Sequence, residues 1–521
     1  MSQSSSNDNL LARLARGTGD ENPWAVVPTT APEHETGPTP PVLDTINDDP
    51  EGCAATIGRP QQSTAANGDE NFDSILRRVT NMLGDQSASN ESSASPSPID
   101  ADSSFVPIEP ADFAEAGLNT TQVEALILKF LLARGNALGR DIADQIKLPY
   151  RPLTELLTEL KNDHLVTFKS AAAMNDFEYV LTDMGSERAR RYAAHCTYFG
   201  AAHVPLEDYC RSVTAQSLNH LQPTAQDLER AFSDLLLNQD ILSRLGPAIN
   251  SGRGLFLFGA PGNGKTSIAE RVTRAFGEYI WVPRAIGIDG ELIRVFDPGS
   301  HVEAPILEDG SLVKDRKIDK RWVRIVRPTI VVGGELTMDN LEVTHNAATG
   351  ISEAPIQIKS NCGTLVIDDF GRQSMRTDAL LNRWIVPLEK RIDFLNLPNG
   401  KKVEVPFDQL IIFSTNLEPR DLVDDAFLRR IPYKINVRDP SELEFRELFR
   451  RMADQLEIPF KQEVVDYVIK EHYTKPGRPF RCCHPRDLLF QIRNRCRYEK
   501  IPTEMSTAHI DFAVENYFAI M

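Results

Sequence analysis

A run of small and turn-forming residues, Gly259, Ala260, Pro261, Gly262, Asn263 and Gly264, leads into Lys265, Thr266 and Ser267. Such a loop can turn its backbone N–H groups inward around a chain of phosphates, aided by the positive end of a following helix. Lys265 would then reach the β- and γ-phosphates, and the Thr266 hydroxyl would ligate Mg²⁺. Farther along, Asp368 and Asp369 close an apolar run. The first would hold the water shell of the metal ion, and the second would polarise an attacking water. Asn416 closes another apolar run and suits the positioning of that water against a terminal phosphate. Arg429 and Arg430 stand side by side, and Arg486 lies in the first turn of a helix that starts at His484. The chemistry these types could do together is binding and hydrolysis of a nucleoside triphosphate with Mg²⁺.

These side chains need elements to hold them. The apolar run Leu255–Phe258 reads as a buried parallel strand. Residues 267–276 read as a helix with Ile268, Val272 and Phe276 on one face. Strand, glycine-rich turn and helix form the context that gives a phosphate-loop string its meaning. Residues 363–367 and 410–415 read as two more buried strands, ending at Asp368 and at Asn416. Each signal alone is weak, because buried strands often end in Asp or Asn. Their order after the glycine-rich loop is what makes them informative.

Over residues 215–521 the chain resembles the AAA+ ATPases. The resemblance implies that 259–266 is the Walker A loop, Asp368 and Asp369 the Walker B pair, and Asn416 sensor one. It implies that Arg430 or Arg429 is an arginine finger offered to a neighbouring subunit, with Arg430 the first choice. Arg486 matches the sensor-two arginine of a helical lid, and a ring, most often of six subunits, follows. Residues 377–391 read as a helix that stalls at Pro387, and 393–405 as a hairpin turning at Asn399-Gly400. That pair looks like the pre-sensor-one hairpin of the branch containing MoxR-like, magnesium-chelatase, MCM and NtrC-like proteins. Asp369 stands where this branch usually has Glu, and a shorter arm would slow hydrolysis. No family motif matches the long segment between Ala285 and Ser360, and the NtrC loop signature is absent from it.

The 521 residues carry a formal net charge of −17, which argues against a general nucleic-acid binder. Seven cysteines without a CxxC spacing, no apolar stretch near 20 residues, and an opening segment without export features lead to the expectation of a soluble cytoplasmic protein. Residues 1–104 are rich in Ser, Asn, Asp, Pro and Gly and read as a disordered tail and linker. Within them, Phe72, Ile75, Leu76, Val79, Met82 and Leu83 recur at helical spacing, as a transient helix or a docking peptide would. Residues 105–200 read as helices over 120–134, 138–146 and 153–161, a hairpin, and a helix over 185–194. That arrangement resembles a winged helix, although its candidate reading helix carries as much acid as base.

The expected fold is therefore α/β: a parallel-sheet nucleotide domain over 215–440, a helical lid over 441–521, and a winged-helix-like domain over 105–200 behind the tail. The densest basic run, Lys314 to Arg327 around Trp322, could grip an acidic polypeptide or a nucleic-acid backbone, or form a solvated strand face. Cys482, Cys483, His484 and Cys496 resemble zinc ligands only superficially, since adjacent cysteines point different ways. The leading expectation is an ATP-driven, chaperone-like remodeller of an unknown protein client. Its alternatives are a DNA-associated initiator or transposition-helper ATPase, and a nucleotide-dependent scaffold with little turnover.

Overall fold

The computed structural model describes residues 105–306, 317–423 and 425–519. The expected tail over 1–104, its apolar island, and Lys314 to Arg316 of the basic run lie outside the described residues.

Residues 120–195 build one core. Helix α1 (Thr120–Arg134) opens with a capping box between Asn119 and Gln122. Strand β1 (Asn136–Leu138), α2 (Gly139–Ile146), α3 (Tyr150–Asn162), β2 (Val166–Ala172), β3 (Asp176–Leu181) and α4 (Asp183–His195) follow. The short strand β1, which periodicity alone does not reveal, pairs with β3 and makes the sheet three-stranded, in the order β1-β3-β2. Buried Asp176 replaces a local cap for α2, accepting from the N–H groups of Gly139 and Arg140 and from the Tyr150 hydroxyl. Ile127, Leu131, Ile142, Leu153 and Leu157 fill the space between the helices.

Five parallel strands form the second layer: β4 (Leu255–Phe258), β5 (Thr329–Val332), β6 (Thr364–Ile367), β7 (Leu410–Thr415) and β8 (Tyr433–Asn436). Their spatial order is β5-β6-β7-β4-β8, and every pairing between neighbours is parallel. The runs Leu365-Val366-Ile367 and Leu410 to Phe413 are buried throughout, as strands covered on both faces must be. On one side lies α5 (Lys265–Val272), which ends in a 3₁₀ turn over Thr273–Ala275, so the α-helix is shorter than the 267–276 expectation. On the other lies α6 (Thr377–Lys390).

Helix α6 does not stall at Pro387; it continues to Lys390 and ends with Arg391 in the left-handed region. A proline inside a helix costs roughly 3 kcal/mol. Here Pro387 joins Leu380, Leu381 and Trp384 on the buried face, and that packing offsets the lost N–H bond. The hairpin follows as expected, with Ile392–Asn396 paired to Lys402–Pro406 and Gly400 at φ +81° in the turn. Leu395, Leu397 and Val405 are sunk in a core with Tyr209, Ile280, Ile286 and Ile325.

That core belongs to the segment that no motif explained. It contains a ribbon of Tyr279–Pro283 with Trp322–Val326 and a sheet to which Ala285–Ile288, Glu291–Arg294 and Ile351–Glu353 contribute. Over its described part the basic run divides between surface and interior: Lys317 and Lys320 are exposed, whereas Arg321 and Arg327 are buried. Arg321 and Asp319 form an ion pair with both side chains 4% exposed. Trp322 is buried, and Arg327 turns inward to the carbonyl oxygens of Gly277 and Cys362. A buried guanidinium needs acceptors, and the chain supplies them here from its own backbone and from Asp319.

Past β8 the chain is helical: α7 (Glu442–Gln455), a π-helical stretch over Val468–Thr474, α8 (His484–Glu499) and α9 (Thr507–Tyr517). Phe445, Phe449, Tyr473, Leu488, Leu489 and Ile510 make a separate core there.

Candidate active site

In open α/β sheets ligands bind beyond the carboxyl ends of the strands. Three neighbouring strands here end in the polar residues that the sequence singled out. After β4 comes the loop 259–264, after β6 come Asp368 and Asp369, and after β7 comes Asn416. The loop needs its glycines. Gly259 has φ +139°, and a Cβ there would lie 2.4 Å from the Val437 carbonyl oxygen. Gly264 has φ +81°, and the space where its Cβ would stand is open.

Lys265 heads α5 and folds its side chain back over the loop. Its Nζ donates to the carbonyl oxygens of Gly259 and Ala260, both at 3.0 Å, and to Asn416 Oδ1 at 2.6 Å. Asn416 Nδ2 donates in turn to Asp369 Oδ1 at 3.1 Å. The Thr266 hydroxyl donates to Asp368 Oδ2 at 2.8 Å. Five predicted residues thus make two short chains, Lys265–Asn416–Asp369 and Thr266–Asp368. Burial pulls the Lys265 ammonium below its ordinary pKa, while the charges of Asp368 and Asp369 push it back up and that of Arg481 lowers it further.

Asp369 has φ +47°, in the left-handed region that few side chains adopt. Asp enters it more readily than most residues, because its short polar chain bonds locally. The Gln373 amide spans the turn, donating to the carbonyl oxygens of Asp368 and Asp369. Strained backbone of this kind recurs at functional sites.

The arginines divide. Arg430 is bound to Glu389 at 2.6 Å, with its side chain 16% exposed. Arg429 is exposed. Arg486 pairs with its neighbour Asp487 on the surface of α8. Asn263 is turned inward to Asp439 Oδ1 at 2.7 Å.

Two residues that no sequence pattern connects to the loop, Asp439 and Arg481, meet beside it. Asp439 holds Asn263 and pairs with Arg481, and the Cys483 N–H donates to the Gly262 carbonyl at 2.9 Å. Asp439 is separated from the loop by more than 170 residues, and no spacing rule links them. His484 bonds the Tyr473 hydroxyl at 2.9 Å inside an aromatic cluster. Among the described residues no group of three or more His, Cys, Asp or Glu side chains is gathered to hold a metal ion. Among them, too, no helix is long and apolar enough to cross a membrane.

A family model described as a domain of unknown function, DUF8689, matches residues 441–516, which are the helical C-terminal region. No curated protein matches the chain. Among solved structures, NtrX from Brucella abortus in complex with ADP is 13% identical, with a TM-score of 0.33 over 54% of this chain and 56% of that one. The Holliday junction branch migration motor RuvB from Thermotoga maritima is 14% identical, with a TM-score of 0.32 over 56% of this chain and 73% of that one. The chain therefore spans little more than half the length of the NtrX chain. Likenesses this slight carry no conclusion, and the functional reading rests on the geometry.

Proposed function

We propose that this chain is a Mg²⁺-dependent ATPase of the AAA+ kind that assembles with copies of itself, in a ring of six, and remodels a protein partner. The observation that carries the ATPase part is the meeting of Lys265, Thr266, Asp368, Asp369 and Asn416 at the ends of three adjacent strands. The loop suits a polyphosphate. Its backbone curls through positive φ at Gly259, Gly262 and Gly264, and a cationic Nζ lies against it. Thr266 Oγ1 and Asp368 Oδ2 are paired oxygens of the hard type that Mg²⁺ takes. Bound there, Mg²⁺ would neutralise charge on the β- and γ-phosphate oxygens.

The chain's own residues divide the remaining work. Lys265 would balance phosphate charge, and Asn416, bonded to both Lys265 and Asp369, would fix the orientation of that carboxylate. The Asp369 oxygen that Asn416 does not engage would accept a proton from water, a role worth roughly 10²–10⁴ in rate elsewhere. Arg429, exposed next to the tethered Arg430, is the better placed of the two to reach a neighbouring subunit's phosphates. The helical region would act as the lid and residues 105–200, folded as helices and a hairpin, as a winged-helix-like client-binding domain. Protein rather than nucleic acid is favoured as client, because Arg321, Trp322 and Arg327 are committed to the interior.

Calorimetric titration of the full chain with MgATP tests the reading. Lys265→Ala should abolish tight binding, since it removes a charge-assisted contact to the phosphates. Undiminished affinity in a folded variant would overturn the assignment. Single-turnover hydrolysis separates the ATPase from a scaffold that binds without turnover.

A further inference from the structure

One carboxylate touches both the phosphate loop and the helical C-terminal region. Asp439 follows β8, immediately before Pro440 and the Ser441 cap of α7. Its Oδ1 accepts from Asn263 Nδ2 at 2.7 Å and also takes the ion pair with Arg481 Nη1. Asn263 is 4% exposed, so its amide has no exchange with solvent to fall back on. Two residues past Arg481, the Cys483 N–H reaches the Gly262 carbonyl at 2.9 Å. A Cβ on Gly262 would come within 2.6 Å of Cys483 Sγ, so the glycine also leaves room for this approach. Adjacent loop residues 262 and 263 are thus held by residues 481 and 483, with Asp439 as the bridge.

We propose that Asp439 is a positioning residue that fixes the phosphate loop and the helical region in one arrangement, so that nucleotide binding and order in residues 478–490 are coupled. The inference rests on the ATP-binding reading above. Its physical basis is linkage: a ligand that prefers the held shape of the loop favours the docked helical region by the same free energy, and the reverse. A single oxygen that accepts from both an amide and a guanidinium makes the two contacts interdependent, and contacts to charged groups are the strong ones.

The test combines hydrogen exchange over 478–490 with equilibrium binding of a fluorescent ATP analogue, both on the full chain with Mg²⁺. In the unaltered protein the analogue should slow exchange over 478–490. Asp439→Ala should lose that protection even at saturating analogue and bind about tenfold more weakly, about 1.4 kcal/mol. Adding Arg481→Ala to it should cost nothing more. Asp439→Asn keeps the size of the side chain and an acceptor for Asn263 while removing the charge, and serves if the alanine variant fails to fold. Lower thermal stability with analogue-dependent protection intact would mean a merely structural contact and would overturn the proposal, as would additive losses in the double variant. Lys265→Ala separates the two readings. If the unaltered protein binds the analogue, Lys265→Ala abolishes binding and the Asp439 variants change nothing, the clamp alone falls. If the unaltered protein binds no nucleotide, both fall.

Discussion

Asp369 sits at φ +47° with its side chain held by Asn416, and under the proposed reading both facts bear on its part as a base. A carboxylate oriented by an amide is ready to accept a proton without reorganising, which is where much of an enzyme's electrostatic advantage lies. Asp369→Asn keeps the shape and the tolerance for left-handed backbone but removes the basic oxygen. Nucleotide affinity should stay within a few-fold, while the single-turnover hydrolysis rate falls by roughly 10²–10⁴. An unchanged rate would take Asp369 out of the reaction. At this scale the sequence was highly legible. The spacing of loop, double carboxylate and Asn416 marked residues that are hydrogen-bonded to one another in the structure. What escaped was the contact of Asp439 and Arg481 beside the loop, because Asn263 and Asp439 are 176 residues apart and no local pattern joins them.

Arg321 shows what a single side chain does between elements. Besides pairing with Asp319, its Nη1 donates to the carbonyl oxygens of Ala116 at 2.8 Å and His203 at 3.1 Å. It therefore joins the chain before α1, the link after α4 and the ribbon strand Trp322–Val326. Removing one partner of a buried pair leaves the other uncompensated, so Arg321→Ala should cost about 3–5 kcal/mol in chemical denaturation, and Asp319→Leu/Arg321→Met much less. Equal losses would show that the pair's charge is not what matters. The same junction predicts a response to acid. Burial first, and the Arg321 charge second, lower His203 from about 6.5 to about 4. The folded state then binds the proton less readily than the unfolded one, so His203's contribution is fully present above pH 6.5 and is lost as pH falls toward 4. The unfolding midpoint should drop over that window, and His203→Gln should flatten the slope; an unaltered slope would exclude His203 as a source. Here the sequence was legible only in part: a basic run reads as surface, and Lys317 and Lys320 are exposed, but Arg321 and Arg327 are drawn into the interior. Whether arginines face water depends on carbonyl oxygens contributed from residues 116, 203, 277 and 362, far away in the chain.

For the molecule as a whole, the three central strands of the parallel sheet could be read from apolar runs ending in polar tips, whereas its edge strands Thr329–Val332 and Tyr433–Asn436 and the sheet built from 204–205, 285–294 and 344–353 could not. Its strands are two to four residues long, too short for alternation to register, and its two parallel pairings join residues far apart in the chain. The distribution of arginines past β7 carries the assembly argument. Arg430 is spent on Glu389 within the chain, and Arg429 projects beside it. If Arg429 completes a neighbour's site, no single chain holds every group that hydrolysis needs. Arginine fingers contribute roughly 10³–10⁵ in rate in other phosphate-loop systems. Arg429→Ala should therefore bind ATP normally and hydrolyse it at least about a hundredfold more slowly, while Arg430→Ala, which breaks an intrachain pair, should lose less rate and more stability. Mixing Arg429→Ala chains with Lys265→Ala chains brings an intact loop next to an intact arginine, so activity should rise above that of either variant alone. Mass photometry of the mixture establishes that both variants share one assembly. Absence of rescue in such mixed assemblies would place the site within one chain and remove the physical reason for a ring.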